Sequence, residues 1–150
     1  MSTKVRFEDV KKFFEDDDWS FEVKDNSIRC GIKAKNESFK IRVVVRTEKE
    51  LISLYVYYPI TVPEDKRREV CETITRMNYG LSFGWCEMDM NDGELRFRSF
   101  MPTDDAPFFP EQLKTILYSG VNTADRYFPA FMSVIYGNKS SEEAIKEIEN

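Results

Sequence analysis

Histidine does not occur in this 150-residue sequence. Histidine is the only side chain whose unperturbed pKa lies between pH 5 and 8, and it is the most frequent general base and a common metal ligand. Its absence excludes histidine-based acid–base catalysis and histidine metal centres. An enzyme would then need a recognisable arrangement of carboxylates, lysine or cysteine. The sequence shows none, so we predict a protein that is not an enzyme and has no catalytic residues.

Cysteine is also scarce. Cys30, Cys71 and Cys86 are an odd number and lack a C-x-x-C spacing, which argues against a disulfide framework and against a zinc site. Their apolar sequence neighbours indicate buried, unreactive thiols. The acidic residues of segment 87–92 do not have the spacing of a calcium-binding loop. We predict neither a metal site nor a cofactor.

The sequence also has few glycines and no long apolar run. The six glycines do not have the spacing of a phosphate-binding or dinucleotide-binding loop. No apolar run approaches the roughly 20 residues of a membrane span, and acidic residues come too early for a secretory signal. We therefore predict a cytoplasmic protein that does not enter a membrane.

Aromatic and charged residues are abundant. The chain has 12 Phe, 7 Tyr and 2 Trp, enough apolar area to require a folded core, and its length suits one domain over residues 1–150. The net charge of −5 argues against nucleic acid as a partner, unless the basic residues are segregated.

The hydrophobic periodicity predicts an α+β fold with an antiparallel sheet and helices mainly on one face. The predicted order is α-β-β-β-β-α-β-β-α, and residues 138–150 form a terminal helix or a frayed tail. Pro129 lies within the last long helical pattern, where it predicts a kink or break near residues 124–128. The predicted helices cover residues 5–17, 63–80 and 110–137, and the first four strands cover 19–24, 28–34, 39–47 and 51–58.

A hairpin is predicted within segment 81–102. Asp92-Gly93 is a strong two-residue turn signal, and a two-residue loop places Glu87 opposite Arg98 and Asp89 opposite Arg96. This register puts Met88, Met90, Leu95 and Phe97 on the core face, with an ion-pair ladder of Glu87, Asp89, Arg96 and Arg98 on the other face.

The same register places Trp85 opposite Phe100 on the charged face. Either a helix or a neighbouring strand covers these rings, or they are anchors for a partner. Alternation in the earlier strands also makes one sheet face apolar and the other basic, which indicates either a solvated face or a docking face for an acidic segment. The predicted protein-binding residues are Trp85, Phe100, Arg42, Arg96 and Arg98.

Strand 51–58 is apolar on both sides. Leu54, Val56 and Tyr58 alternate with Tyr55 and Tyr57, which predicts a strand covered on both faces. Contact with a second subunit would supply the second cover, so we predict a homodimer.

Several motifs resemble the YbjN-type domain family, over roughly residues 7–135. The resemblance implies an α+β fold like that of type III secretion chaperones and a role as a bacterial sensory transduction regulator, without catalytic residues. It is carried by the runs Thr75-Arg76-Met77-Asn78-Tyr79-Gly80-Leu81 and Asp92-Gly93-Glu94-Leu95-Arg96-Phe97-Arg98, with Gly84, Glu87, Asp89, Ala106-Pro107, Pro110-Glu111-Gln112-Leu113 and Ala124-Asp125-Arg126-Tyr127.

These observations favour a noncatalytic protein-binding domain, a regulator or chaperone-like adaptor that binds an acidic, partly apolar segment. A small-ligand sensor with a cavity between the long helix and the sheet is the alternative. An enzyme that works through Glu87 or Asp89 is a further hypothesis, opposed by the predicted pairing of both carboxylates with arginine.

Overall fold

The computed structural model describes residues 5–104 and 106–150. It is an α+β fold with a six-stranded antiparallel sheet, in the order β1-β2-β3-β4-β6-β5, and four α-helices. The elements are α1 (Phe7–Asp16), β1 (Phe21–Lys24), β2 (Ser27–Lys33), β3 (Ser38–Arg46), β4 (Leu51–Thr61), α2 (Arg67–Asn78), β5 (Trp85–Met88), β6 (Glu94–Pro102), α3 (Pro110–Ile135) and α4 (Ser141–Glu149).

The predicted fold class and element order are confirmed, with short turns that join β1 to β4 as a meander. A short 3-10 helix, Glu64–Lys66, precedes α2. The C-terminal segment is a helix and not a frayed tail, because Ala144 and Ile145 of α4 are buried in the core. Within the described ranges no helix is long and apolar enough to cross a membrane.

The two faces of the sheet differ in chemistry. Strand side chains alternate between faces, and one set forms the core with the helices. Phe39 contacts Phe128 of α3 through a ring edge, and Tyr58 contacts Phe131 in the same way and stacks on Phe128. We call the opposite side the open face, because the core helices lie across the sheet from it. The buried core-face residues of β3, β4 and β6 include Phe39, Ile41, Val43, Leu54, Val56, Leu95 and Phe97.

Helix α3 continues through Pro129, so of the predicted kink or break near residues 124–128 the break is wrong. Proline has no N–H to donate to the carbonyl four residues earlier, which here belongs to Asp125. The side-chain amide of Asn36 donates to that carbonyl at 3.0 Å instead. The Asp125 carboxylate in turn accepts the backbone N–H groups of Asn36 and Glu37, at 2.8 and 3.2 Å. The β2–β3 turn therefore replaces the hydrogen bond that proline removes.

The hairpin register differs from the predicted one. Glu87 lies opposite Arg96 and not opposite Arg98, and Asp89 donates its backbone N–H to Glu94. The loop is thus four residues long, 90–93, with Gly93 at φ +81°. Val62 fixes this position, because its N–H donates to the Gly93 carbonyl at 2.9 Å. A Cβ on Gly93 would lie 2.2 Å from the Val62 carbonyl oxygen, so only glycine fits.

Two predicted positions change with the longer loop. Met90 is 50% exposed and does not belong to the core face. Asp89 has no ion pair among the described residues, and its carboxylate accepts the backbone N–H of Asn91 at 2.8 Å. The shift of two residues leaves every strand residue on its predicted face, since side chains alternate with a period of two.

Candidate binding surface on the open face

The open face carries most of its charge as cations, on a chain whose net charge is −5. Strand pairing aligns side chains from all six strands into rows across this face. One row runs from Glu22 through Arg29, Arg42, Tyr55 and Arg98 to Trp85. The cations of the face are Lys24, Arg29, Lys33, Lys40, Arg42, Arg46, Arg96 and Arg98, and its acids are Glu22, Glu87 and Glu94.

All five residues predicted for protein binding lie on the open face. Trp85 is opposite Arg98 and not Phe100, which corrects the predicted pair. The two aromatic rings nevertheless meet on the diagonal, with centroids 6.3 Å apart at an angle of 63°. Phe100 is 48% exposed and Trp85 is half-buried. The structure thus brings an exposed aromatic pair beside the arginines.

The half of the open face formed by β5 and β6 balances its own charges. The Glu87 carboxylate contacts Arg96 at 2.6 Å and Arg98 at 3.5 Å, and accepts the indole N–H of Trp85 at 3.2 Å. Burial would raise the pKa of Glu87, but the hydrogen bonds from Arg96 and Trp85 and the two guanidinium charges hold it below its ordinary value. We call Trp85, Glu87, Arg96 and Arg98 the compensated cluster.

Arginine side chains supply the second cover of β4. Tyr55 is only 3% exposed, although it points to the open face. The guanidinium carbons of Arg96 and Arg98 lie 4.5 and 5.4 Å from its ring centre, and Arg46 donates to its hydroxyl at 2.7 Å. The predicted two-sided cover is present, but it comes from the same chain. The burial of Tyr55 therefore gives no argument for a homodimer.

Burial and hydrogen bonding have opposite effects on the Tyr55 hydroxyl. Burial raises its pKa, whereas hydrogen bonds with Arg46 and Ser53 and the charges of Arg46 and Arg98 lower it below the ordinary value. Arg46 also donates from Nε to the Ser53 hydroxyl at 2.9 Å. The centre of the open face is thus a fixed layer of arginine and tyrosine.

The half of the open face formed by β2 and β3 does not balance its charges in this way. Arg29 lies directly opposite Arg42, and Lys40 lies one position along the face, opposite Gly31. Within residues 5–104 and 106–150, none of these three cations has a carboxylate within ion-pair distance. The Nε of Arg42 is buried and has no hydrogen-bond partner there. We call Arg29, Lys40 and Arg42 the uncompensated cluster.

A depression of about 840 Å³ lies over the uncompensated cluster. Gly31 forms part of its floor, where the missing side chain leaves space between the cations. Tyr57, Glu22 and Glu94 also line it. Glu94 forms its ion pair, at 3.9 Å, with Arg96 of the compensated cluster.

The predicted site omitted Arg29 and Lys40, although alternation had already placed both on the basic face. It also omitted Arg46 and Tyr55, which hold the surface together. Their role depends on pairing between strands that are far apart in sequence. The one sequence signal for this role was the alternation of cations along both β2 and β3, which would align them once the two strands pair.

The described residues offer little for catalysis. Burial raises the pKa of Cys30 to about 12 and also raises that of Cys86, so both thiols are protonated at neutral pH. Across the described ranges, no group of three or more His, Cys, Asp or Glu residues is placed to hold a metal ion. Glu87, one of the two carboxylates considered for catalysis, is held by two arginines.

Comparison with known proteins agrees with the resemblance seen in the sequence. The model of the YbjN family, described as "Putative bacterial sensory transduction regulator", matches residues 6–133. The chain belongs to the YbjN family. It is similar to the crystal structure of "YbjN, a putative transcription regulator from E. coli", with a TM-score of 0.67, 9% identity, and coverage of 83% of this chain and 90% of that chain. At this identity the similarity shows the fold alone. No curated protein matches in sequence.

Proposed function

We propose that this YbjN-family protein is a noncatalytic regulator or adaptor in the cytoplasm that binds an acidic, partly apolar segment of a partner protein on its open face. The observation that carries the proposal is the exposed Phe100 beside Trp85, within a cation-rich face on an acidic chain. Aromatic and arginine side chains are the types most enriched at binding hot spots. The regulatory description of the family agrees with such a role.

The chemistry of the face favours a protein segment over the two alternatives. An enzyme acting through Glu87 would need a free carboxylate, and two arginines hold this one. A sensor was predicted to bind between α3 and the sheet, whereas the depression described above lies on the opposite side. A homodimer remains part of the proposal, and sedimentation equilibrium of the full chain decides it.

Affinity capture from the native host tests the aromatic anchor. The double variant Trp85→Ala, Phe100→Ala removes the apolar part of the site and leaves Arg98 in contact with Glu87 and Tyr55. Tyr79→Ala is the matched control, because Tyr79 is an exposed aromatic on the helical side. Quantitative mass spectrometry should show a partner that the parent and the control retain and the folded double variant loses about tenfold. Equal recovery of every partner by all three proteins would reject the site.

A further inference from the structure

Arg29 and Arg42 form an unusual pair on the open face. They lie directly opposite each other on β2 and β3, where like charges destabilise a sheet. Glu22 lies opposite Arg29 on its other side but makes no ion pair with it within 4.0 Å among the described residues. The buried Nε–H of Arg42 also lacks an acceptor there. A buried donor without a partner costs about 1–3 kcal/mol.

The same face shows how such cations are satisfied elsewhere. In the compensated cluster one carboxylate, that of Glu87, contacts two guanidinium groups. The uncompensated cluster also places two guanidinium groups side by side, here across neighbouring strands, with no carboxylate within ion-pair distance among the described residues. Glu22 and Glu94 line the same depression, but neither forms an ion pair with Arg29, Lys40 or Arg42 among the described residues.

We infer that the uncompensated cluster binds one carboxylate, from an Asp or Glu side chain of the partner segment. This inference rests on the proposed function and specifies how the acidic part of the segment is recognised. Arg29 and Arg42 would hold the carboxylate between them as Arg96 and Arg98 hold Glu87, with Lys40 beside it. A single carboxylate fits better than a nucleic acid, because the net charge of −5 repels a polyanion.

The sheet also sets the spacing within the segment. Arg42 lies on β3 and Phe100 on β6, two strands away across β4, and Phe100 is in the row of Val44, two residues along from Arg42. With strands about 4.8 Å apart and a rise of about 3.4 Å per residue, the two sites are roughly 12 Å apart. An extended segment covers this distance in about three or four residues. The acid and the apolar anchor should therefore have that separation.

Selection from a random peptide library displayed on phage tests both parts. The full-length parent should enrich peptides with an Asp or Glu three or four residues from an aromatic or aliphatic residue. The variant Arg29→Gln, Arg42→Gln should lose the acid preference and keep the apolar one. The variant Trp85→Ala, Phe100→Ala should lose the apolar preference and keep the acid preference. The control Arg68→Gln alters an exposed arginine of α2 and should select like the parent.

The best enriched peptide then serves as the probe in a double-mutant cycle. Changing its acid to Gln should raise the Kd for the parent about tenfold, as expected for a hydrogen-bonded charge pair. The same change should leave the Kd of Arg29→Gln, Arg42→Gln within about twofold. An equal loss for both proteins would overturn the inference and leave the proposed function intact.

Two other outcomes also overturn the inference. If no peptide is enriched by the parent, the proposed function fails and the inference fails with it. A twelve-nucleotide oligothymidylate serves as a phosphate competitor. If it displaces the enriched peptide more strongly than the acid-free peptide does, and if this displacement is lost in the Arg29→Gln, Arg42→Gln variant, the cluster binds phosphate and not a carboxylate.

Discussion

The two halves of the open face solve the same electrostatic problem differently. Around β5 and β6, Glu87 joins Arg96 and Arg98, and the arginines stack on Tyr55. Around β2 and β3, Arg29 and Arg42 face each other without a carboxylate within ion-pair distance in the described ranges. The first arrangement pairs its cations within the folded chain, and the second leaves them for the carboxylate that we propose to bind there. The difference distinguishes arginines that have an ion-pair partner from arginines that have none among the described residues.

The largest expected effect comes from removing the ring that supports the compensated cluster. Tyr55→Ala should lower the free energy of unfolding by about 3 kcal/mol, because it deletes a buried aromatic side chain and the support of two guanidinium groups. Urea denaturation measures the change. Tyr55→Phe is the control, since it keeps the ring, loses only the hydrogen bonds of the hydroxyl with Arg46 and Ser53, and should cost about 1 kcal/mol. A loss of less than about 1 kcal/mol for Tyr55→Ala would contradict the buried layer.

An intermediate effect is expected from pH, through Glu87. Its folded pKa lies below the ordinary 4.5, so its stabilisation is complete above that value and is lost as pH falls through the folded pKa. Near pH 7 the parent should exceed Glu87→Gln by about 1 kcal/mol in free energy of unfolding. This gap should close progressively below about pH 4.5. Denaturation curves of both proteins from pH 7 to pH 2.5 provide the measurement, and a gap independent of pH would refute the assignment.

The smallest effect should have the opposite sign. Arg29→Gln removes one of two opposed cations and should leave the unfolding free energy unchanged or raise it by about 0.3 kcal/mol. Arg98→Gln, the same substitution in the compensated cluster, should lower it. Thermal unfolding at low salt compares the two. Equal destabilisation by both variants would show that the two halves do not differ.

Sequence patterns predicted the sheet and its faces but not every register. Residues shifted by two positions keep the same face, and the hairpin has arginine at both 96 and 98 and methionine at both 88 and 90. Chemical matching therefore cannot distinguish the two registers. The deciding contact is that of Val62 with Gly93, between positions 31 residues apart in the chain.

The candidate binding surface was predictable in composition and not in detail. Alternation placed Arg42, Arg96 and Arg98 on one face with Trp85 and Phe100, and the structure agrees. The predicted hairpin already paired Arg96 and Arg98 with acidic residues, and in the structure both contact Glu87. The sequence did not show that Arg29 lies opposite Arg42 without an ion-pair partner among the described residues, because that depends on the register between β2 and β3.

The proline in α3 also has a tertiary role that helix propensity does not predict. Pro129 frees the carbonyl of Asp125, and Asn36 from the β2–β3 turn occupies it. A residue with an N–H at position 129 would compete with Asn36 for this acceptor and would weaken the attachment of the turn to the helix. The hydrogen bond that is missing from one helix thus provides an acceptor for a loop distant in sequence. A substitution that restores the helical hydrogen bond would weaken this tertiary contact.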